Sequence, residues 1–133
     1  MLRPKNVKFK KHHRRSLTRV SNNNTYLSFG QYGLKALEGG AITEKTIETS
    51  RRTITRTFKR RGKVWIRIVP DLPVTAKPSE ARLGKGVGSI SHWTSVVKKG
   101  EILFEFSGVP RNIAEEAAIA VTKKLNIKAC FVC

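Results

Sequence analysis

The stretch TEKTIETSRRTITRTFKRRG (43–62), followed directly by KVWIRIV (63–69), decides the fold. In the first part Ile47, Ile54 and Phe58 recur at helical spacing, with Lys45, Arg52, Arg56, Lys59 and Lys63 on the opposite face. Thr43 opens the helix, and Glu44 places a carboxylate in its first turn, where the helix dipole favours one. The helix is predicted to run to about Arg61, with Gly62 as its C-terminal cap. In the second part Val64, Ile66 and Ile68 alternate with Trp65, Arg67 and Val69, the pattern of a half-buried strand. One side of the helix therefore packs on a sheet, and the other is a cationic ridge. With almost no acids for i,i+4 pairing, that ridge is expected to face phosphates and not only water.

Before this stretch, Tyr26 to Leu37 reads as a strand interrupted by bulges at Gly30 and Gly33, and Gly39-Gly40 ends it. Earlier still, Arg3, Lys5, Lys8, Lys10, Lys11, Arg14, Arg15 and Arg19 precede the first acid, Glu38. Apolar residues there are few and aperiodic, and Ser21-Asn-Asn-Asn-Thr25 reads as a loop. Residues 1–25 are expected to form a basic arm, extended when bound and mobile when free, joined to a single domain at 26–133. Phe9 and the pair His12-His13 among the cations favour an arm ordered on RNA over a solubilising tail.

Beyond the strand at 63–69, Pro70, Pro73 and Pro78 are expected to break regular structure and open a long loop that includes RLGKGVG (82–88). A β pair follows, His92 to Val97 and Glu101 to Phe106, turning at Lys98-Lys-Gly100. Pro110 suits the first turn of a helix. That helix reaches about Leu125, with Ala114, Ala117, Ala118, Val121 and Leu125 on one side and Asn126 as a left-handed cap. Ile127 to Val132 reads as a last strand. No internal repeat is apparent. The fold class is α+β, a mainly antiparallel sheet packed by two helices, with the basic arm and the glycine-containing loop appended.

The chain has 133 residues and a formal net charge of +18, with 39% hydrophobic residues. The apolar content suffices for a core, while that much like charge calls for a polyanion. No apolar run approaches the ~20 residues needed to span a bilayer, and the basic start does not read as a secretory signal. The glycine loop lacks Walker spacing and leads into a strand, so a nucleotide site is disfavoured. Instead, Arg82 and Lys85 supply cations where glycines let the main chain approach a phosphate or sugar. Cys130 and Cys133 are expected to be free thiols: residues three apart on a strand point to opposite faces, and adjacent histidines are poorly spaced to complete a metal site. No metal, cofactor or catalytic constellation is expected. Trp65 and Trp93 could stack on bases, but large aromatics in strands are more often core, and both are read so. A DNA-binding architectural protein and a small nucleotide-dependent enzyme are the rival readings, with membrane-surface binding behind them.

Several stretches together resemble the large-subunit ribosomal protein family L-sixteen, of bacterial and organellar type, along nearly the whole chain. They are MLRPK (1–5) and KFKKH (8–12), LSFGQYGLKA (27–36), IETSRRTITR (47–56), GKVWIRIVPD (62–71), PVTAKP (73–78), RLGKG (82–86), ILFEFSGV (102–109) and the alanine-rich last helix. The resemblance implies a structural, non-enzymatic protein on large-subunit rRNA near the A-site tRNA and the peptidyl transferase centre. There it would support assembly and tRNA positioning among neighbouring large-subunit proteins, as a single copy. It implies rRNA contacts from Arg3, Lys5, Lys8, Lys10, Lys11, His12, His13, Arg14 and Arg15 in the arm. Arg51, Arg52, Arg56, Lys59, Arg60, Lys63 and Lys77 extend the set, and Arg82, Gly84, Lys85 and Gly86 form the loop toward the A site. Arg82 matches an arginine hydroxylated in some bacteria. The chain departs from the family at Val87, where a second loop lysine is usual, and in the asparagine-rich end of the arm. Threonine or serine also replaces alanine at 49, 50, 53 and 57, lowering helix propensity. This drift toward Asn, Thr, Ile and Lys points to an organelle, mitochondrion before plastid, with a bacterium third.

Overall fold

The computed structural model describes residues 2–13, 16–17, 20–82 and 84–133. Its strands are β1 (Tyr32–Ala36), β2 (Gly40–Thr43), β3 (Lys63–Ile66), β4 (Leu72–Ala76), β5 (Ser89–Val97), β6 (Ile102–Ser107) and β7 (Ala129–Val132). Its helices are α1 (Glu44–Thr57) and α2 (Arg111–Thr122). The strands form two antiparallel sheets, ordered β3-β6-β1-β7 and β2-β5-β4, so the α+β class holds. The core gathers Leu34 and Ala36 of β1, Phe104 and Phe106 of β6, Ile47 and Ile54 of α1, and the alanines of α2. Phe58, just past α1, meets Phe106 edge-on at 5.6 Å between ring centroids. Small side chains at Ala114, Ala117 and Ala118 let α2 lie close to its neighbours.

The first sheet has the core on one face and is partly covered on the other. Its second face is overlaid by residues 24–30: Ile102 N–H donates to Asn24 O at 2.9 Å, and a Cβ on Gly33 would meet the Leu27 side chain at 2.5 Å. This explains why the strand expected over Tyr26–Leu37 begins only at Tyr32. The first half crosses over the sheet and does not join it.

Four further expectations are corrected. The strands at 92–97 and 101–106 exist but do not pair with each other; β5 is central in one sheet and β6 in the other. Gly100 (φ +90°) turns the chain between sheets, and its N–H donates to Ala36 O at 2.8 Å. The prolines do not exclude a strand: Pro73 lies within β4, opposite Trp93. β4 is an edge strand, the position that tolerates a residue with no N–H to give. The glycines at 39–40 do not end regular structure either, because Gly40 starts β2. Finally, Asn126 is not left-handed; its side-chain amide donates to Ala41 O at 2.9 Å.

Helix α1 begins as expected and stops early. Thr46 N–H donates to Thr43 Oγ1 at 3.2 Å, capping the N-terminus. At the other end Lys59 N–H donates to Arg56 O and Arg60 N–H to Thr55 O, each at 3.0 Å. These two bonds make a Schellman motif with Lys59 at the position glycine usually fills. Lys59 and Arg60 have φ of +50° and +65°. Gly62, expected as the cap, is also left-handed but lies in the turn into β3.

Candidate nucleic-acid interface

The exposed flank of α1 carries Lys45, Arg52 and Arg56, and Lys59 and Arg60 continue it past the helix end. Arg51, Arg52, Thr55, Arg56, Lys59 and Arg60 line an open groove of about 550 Å³. The ridge is not wholly unpaired, which corrects the sequence reading. Glu48 accepts from Arg51 at 2.8 and 2.9 Å and from Arg52 at 3.0 Å. The Arg51 hydrogen bond, opposed by desolvation and helped by Arg52, lowers the Glu48 carboxyl to about 2. That arrangement fixes the two guanidinium groups while neutralising part of their charge. Among the described residues no acid pairs with Arg56, Lys59 or Arg60. The unpaired charge therefore lies at the C-terminal end of α1, where the helix dipole also favours cations.

Residues 2–13 form neither helix nor strand, and Arg3, Lys5, Lys8, Lys10, Lys11, His12 and His13 are exposed. Arg14 and Arg15 lie outside the described residues. Leu2 lines a groove with Glu44, Arg51 and Arg52, and Arg3, Lys5 and Lys10 line another with Ile90 and Trp93 of β5. Lys11 Nζ then donates to Val87 O at 3.1 Å. The arm thus runs from the flank of α1 across β5 to the glycine loop. His12 Nε2 hydrogen-bonds Phe9 O at 3.0 Å, bending the arm locally. Residues 20–24 are fastened to the body, with Ser21 N–H donating to Lys99 O at 2.9 Å.

At the loop, Arg82 and residues 84–87 are exposed. Gly84, Lys85 and Gly86 have φ of +93°, +54° and +75° in succession. Nothing lies within 4 Å of a Cβ built on either glycine, so backbone conformation and not internal crowding calls for glycine there. Lys77 points into this loop, its ammonium donating to Gly84 O.

Two features escaped the sequence reading. Glu105, fully buried, accepts from the N–H groups of Ser28, Phe29 and Gly30 at 2.7–3.2 Å and from Arg67, which also donates to Asn24. An acid inside the apolar run ILFEF, and an arginine inside the apolar run VWIRIV, were the available signal. The second is Trp65. Trp93 is core, 8% exposed, but Trp65 is only half-buried, stacked on Phe29 at 6.2 Å between centroids.

Residues 4–132 match the family described as ribosomal protein L16p/L10e. The chain belongs to that family. It is similar to large ribosomal subunit protein uL16 of Bartonella henselae, 50% identical over 132 residues that cover 99% of this chain and 96% of that protein. The Hyphomonas neptunium protein of the same name is 52% identical over 128 residues, covering 96% and 93%. Large ribosomal subunit protein uL16c of Morus indica is 46% identical over 132 residues, covering 99% and 98%. L16p/L10e is a family of ribosomal proteins, not of enzymes, which sets aside the nucleotide-dependent rival. Among the described residues no helix is long and apolar enough to cross a membrane. In this L16p/L10e member the match takes in arm, ridge and loop together.

Proposed function

We propose that the chain is a structural constituent of the large ribosomal subunit that packs on its rRNA and points its glycine loop toward the A-site tRNA, near the peptidyl transferase centre. The observation that carries this reading is the path of the arm, which joins the α1 flank to the loop and makes one continuous cationic surface. On a chain of charge +18, such a surface neutralises phosphates and fixes register. Recognition is of RNA shape, through phosphates and 2′-hydroxyls more than base edges. The basic arm at residues 1–25 and the body at 26–133 act as one unit, in single copy, beside neighbouring large-subunit proteins. The Asn, Thr, Ile and Lys drift favours a mitochondrial ribosome, then a plastid one, then a bacterial one.

Filter binding to large-subunit rRNA across a salt series tests the reading. Five to eight phosphate contacts give a log–log slope of roughly −4 to −6, and a flat salt response would contradict the proposal.

A further inference from the structure

We propose that the Phe29–Trp65 pair is a stacking platform for one unpaired base of RNA; the inference rests on the rRNA-binding reading above. The two rings are stacked with an interplanar angle of 21°. Lys63 Nζ lies over the Trp65 ring at 5.1 Å, and the Arg67 guanidinium over the Phe29 ring at 5.0 Å. An aromatic pair interleaved with cations matches what an extruded nucleotide needs: a π-face for the base and positive charge for its phosphate.

Phe29 is 62% exposed, although its ring is as apolar as those that fill the core. Its backbone is not loose. The Phe29 N–H donates to Glu105 Oε2 at 2.7 Å and the Gly30 N–H to the same atom at 2.8 Å. A buried clamp therefore fixes the backbone that carries the ring, and Trp65 and Arg67 hold the ring itself, so little ordering cost falls on a base that lands there. Arg67 is fixed by Glu105 and Asn24. Lys63 is exposed and in no ion pair among the described residues, so its ammonium can leave the Trp65 ring for an arriving phosphate.

The charges favour a polyanion such as RNA over a basic protein partner. Arg60, Arg61 and Lys63 line a cleft of about 220 Å³ that also includes Arg51 of the ridge, so a backbone lying on α1 leads to the platform. The acid at the platform, Glu105, is fully buried and offers nothing to a basic peptide. Duplex RNA has no free base face, so the occupant is an unpaired residue.

The two tryptophans make the test direct. Trp93→Phe leaves Trp65 as the single emitter, and Trp65→Phe in the otherwise intact chain gives the complementary difference signal if the first variant folds poorly. A short single-stranded oligoadenylate is expected to quench Trp65, whereas an RNA duplex of equal charge binds without quenching. Phe29→Ala should weaken oligoadenylate binding at least about fivefold and leave duplex affinity unchanged. Single-strand binding without quenching, or an unchanged Phe29→Ala affinity, overturns the platform and leaves the rRNA reading standing. Failure to bind either RNA removes both. Quenching by a peptide but not by RNA also overturns the proposal.

Discussion

Arg67 reaches across the first sheet to the carboxylate of Glu105, and this ion pair anchors the segment that crosses the sheet's second face. The Glu105 side chain has no exposure and that of Arg67 only 17%. Removing one partner of such a pair leaves a buried charge and costs on the order of 3–5 kcal/mol. Glu105→Gln keeps the shape and loses the charge. In urea unfolding we expect a loss within that range, accompanied by increased protease cleavage between Asn24 and Gly30.

The same carboxylate gives stability an acid limb. Burial opposes its ionisation, but the N–H groups of Phe29, Gly30 and Ser28, and then Arg67, outweigh burial and hold it below its usual 4.5. A lowered folded value means that this stabilisation is complete above the unfolded value and fades as pH falls through the folded one. Glu48, lowered to about 2, adds a smaller contribution of the same sign, reduced by its exposure to solvent. Melting temperature should therefore fall as pH drops below about 4.5, and Glu105→Gln should flatten that decline.

Ser50 points its hydroxyl into the core and has no exposure, and among the described residues its Oγ has no hydrogen-bond partner. Alanine removes the stranded hydroxyl and improves helix propensity. We expect Ser50→Ala to stabilise the fold by about 1 kcal/mol, raising the thermal midpoint. A lower midpoint would mean that the hydroxyl is satisfied.

Lys59 holds a left-handed backbone at the end of α1 and contributes charge to the ridge. Relieving the conformation and removing the charge should act in opposite directions. Lys59→Gly is expected to raise stability by about 1 kcal/mol while weakening rRNA binding and reducing the salt slope by about one contact. Equal affinity of variant and wild type would exclude Lys59 from the interface.

Much of the fold was legible because it depended on period. Ile47, Ile54 and Phe58 located α1, and the alanines of 114–121 located α2. Sheet partners were not legible, since a turn such as Lys98-Lys-Gly100 looks the same whether it closes a hairpin or crosses between sheets. Pro73 misled because edge position, which excuses a proline, is a tertiary fact. The ridge and arm were visible as charge. Their continuity was not, because it depends on Lys11 meeting Val87, 76 residues away. The sequence pattern makes Trp65 look like core, because β pattern alone cannot say that the strand's second face is only partly covered.

The ridge at the end of α1 is most directly tested by subunit incorporation. Arg56→Glu combined with Arg60→Glu changes two exposed side chains outside the core, and circular dichroism checks that the chain remains folded. On sucrose gradients we expect the wild-type chain in the large-subunit peak and the folded double variant at the top of the gradient. Equal amounts of both in the large-subunit peak would contradict the assignment of this surface to rRNA.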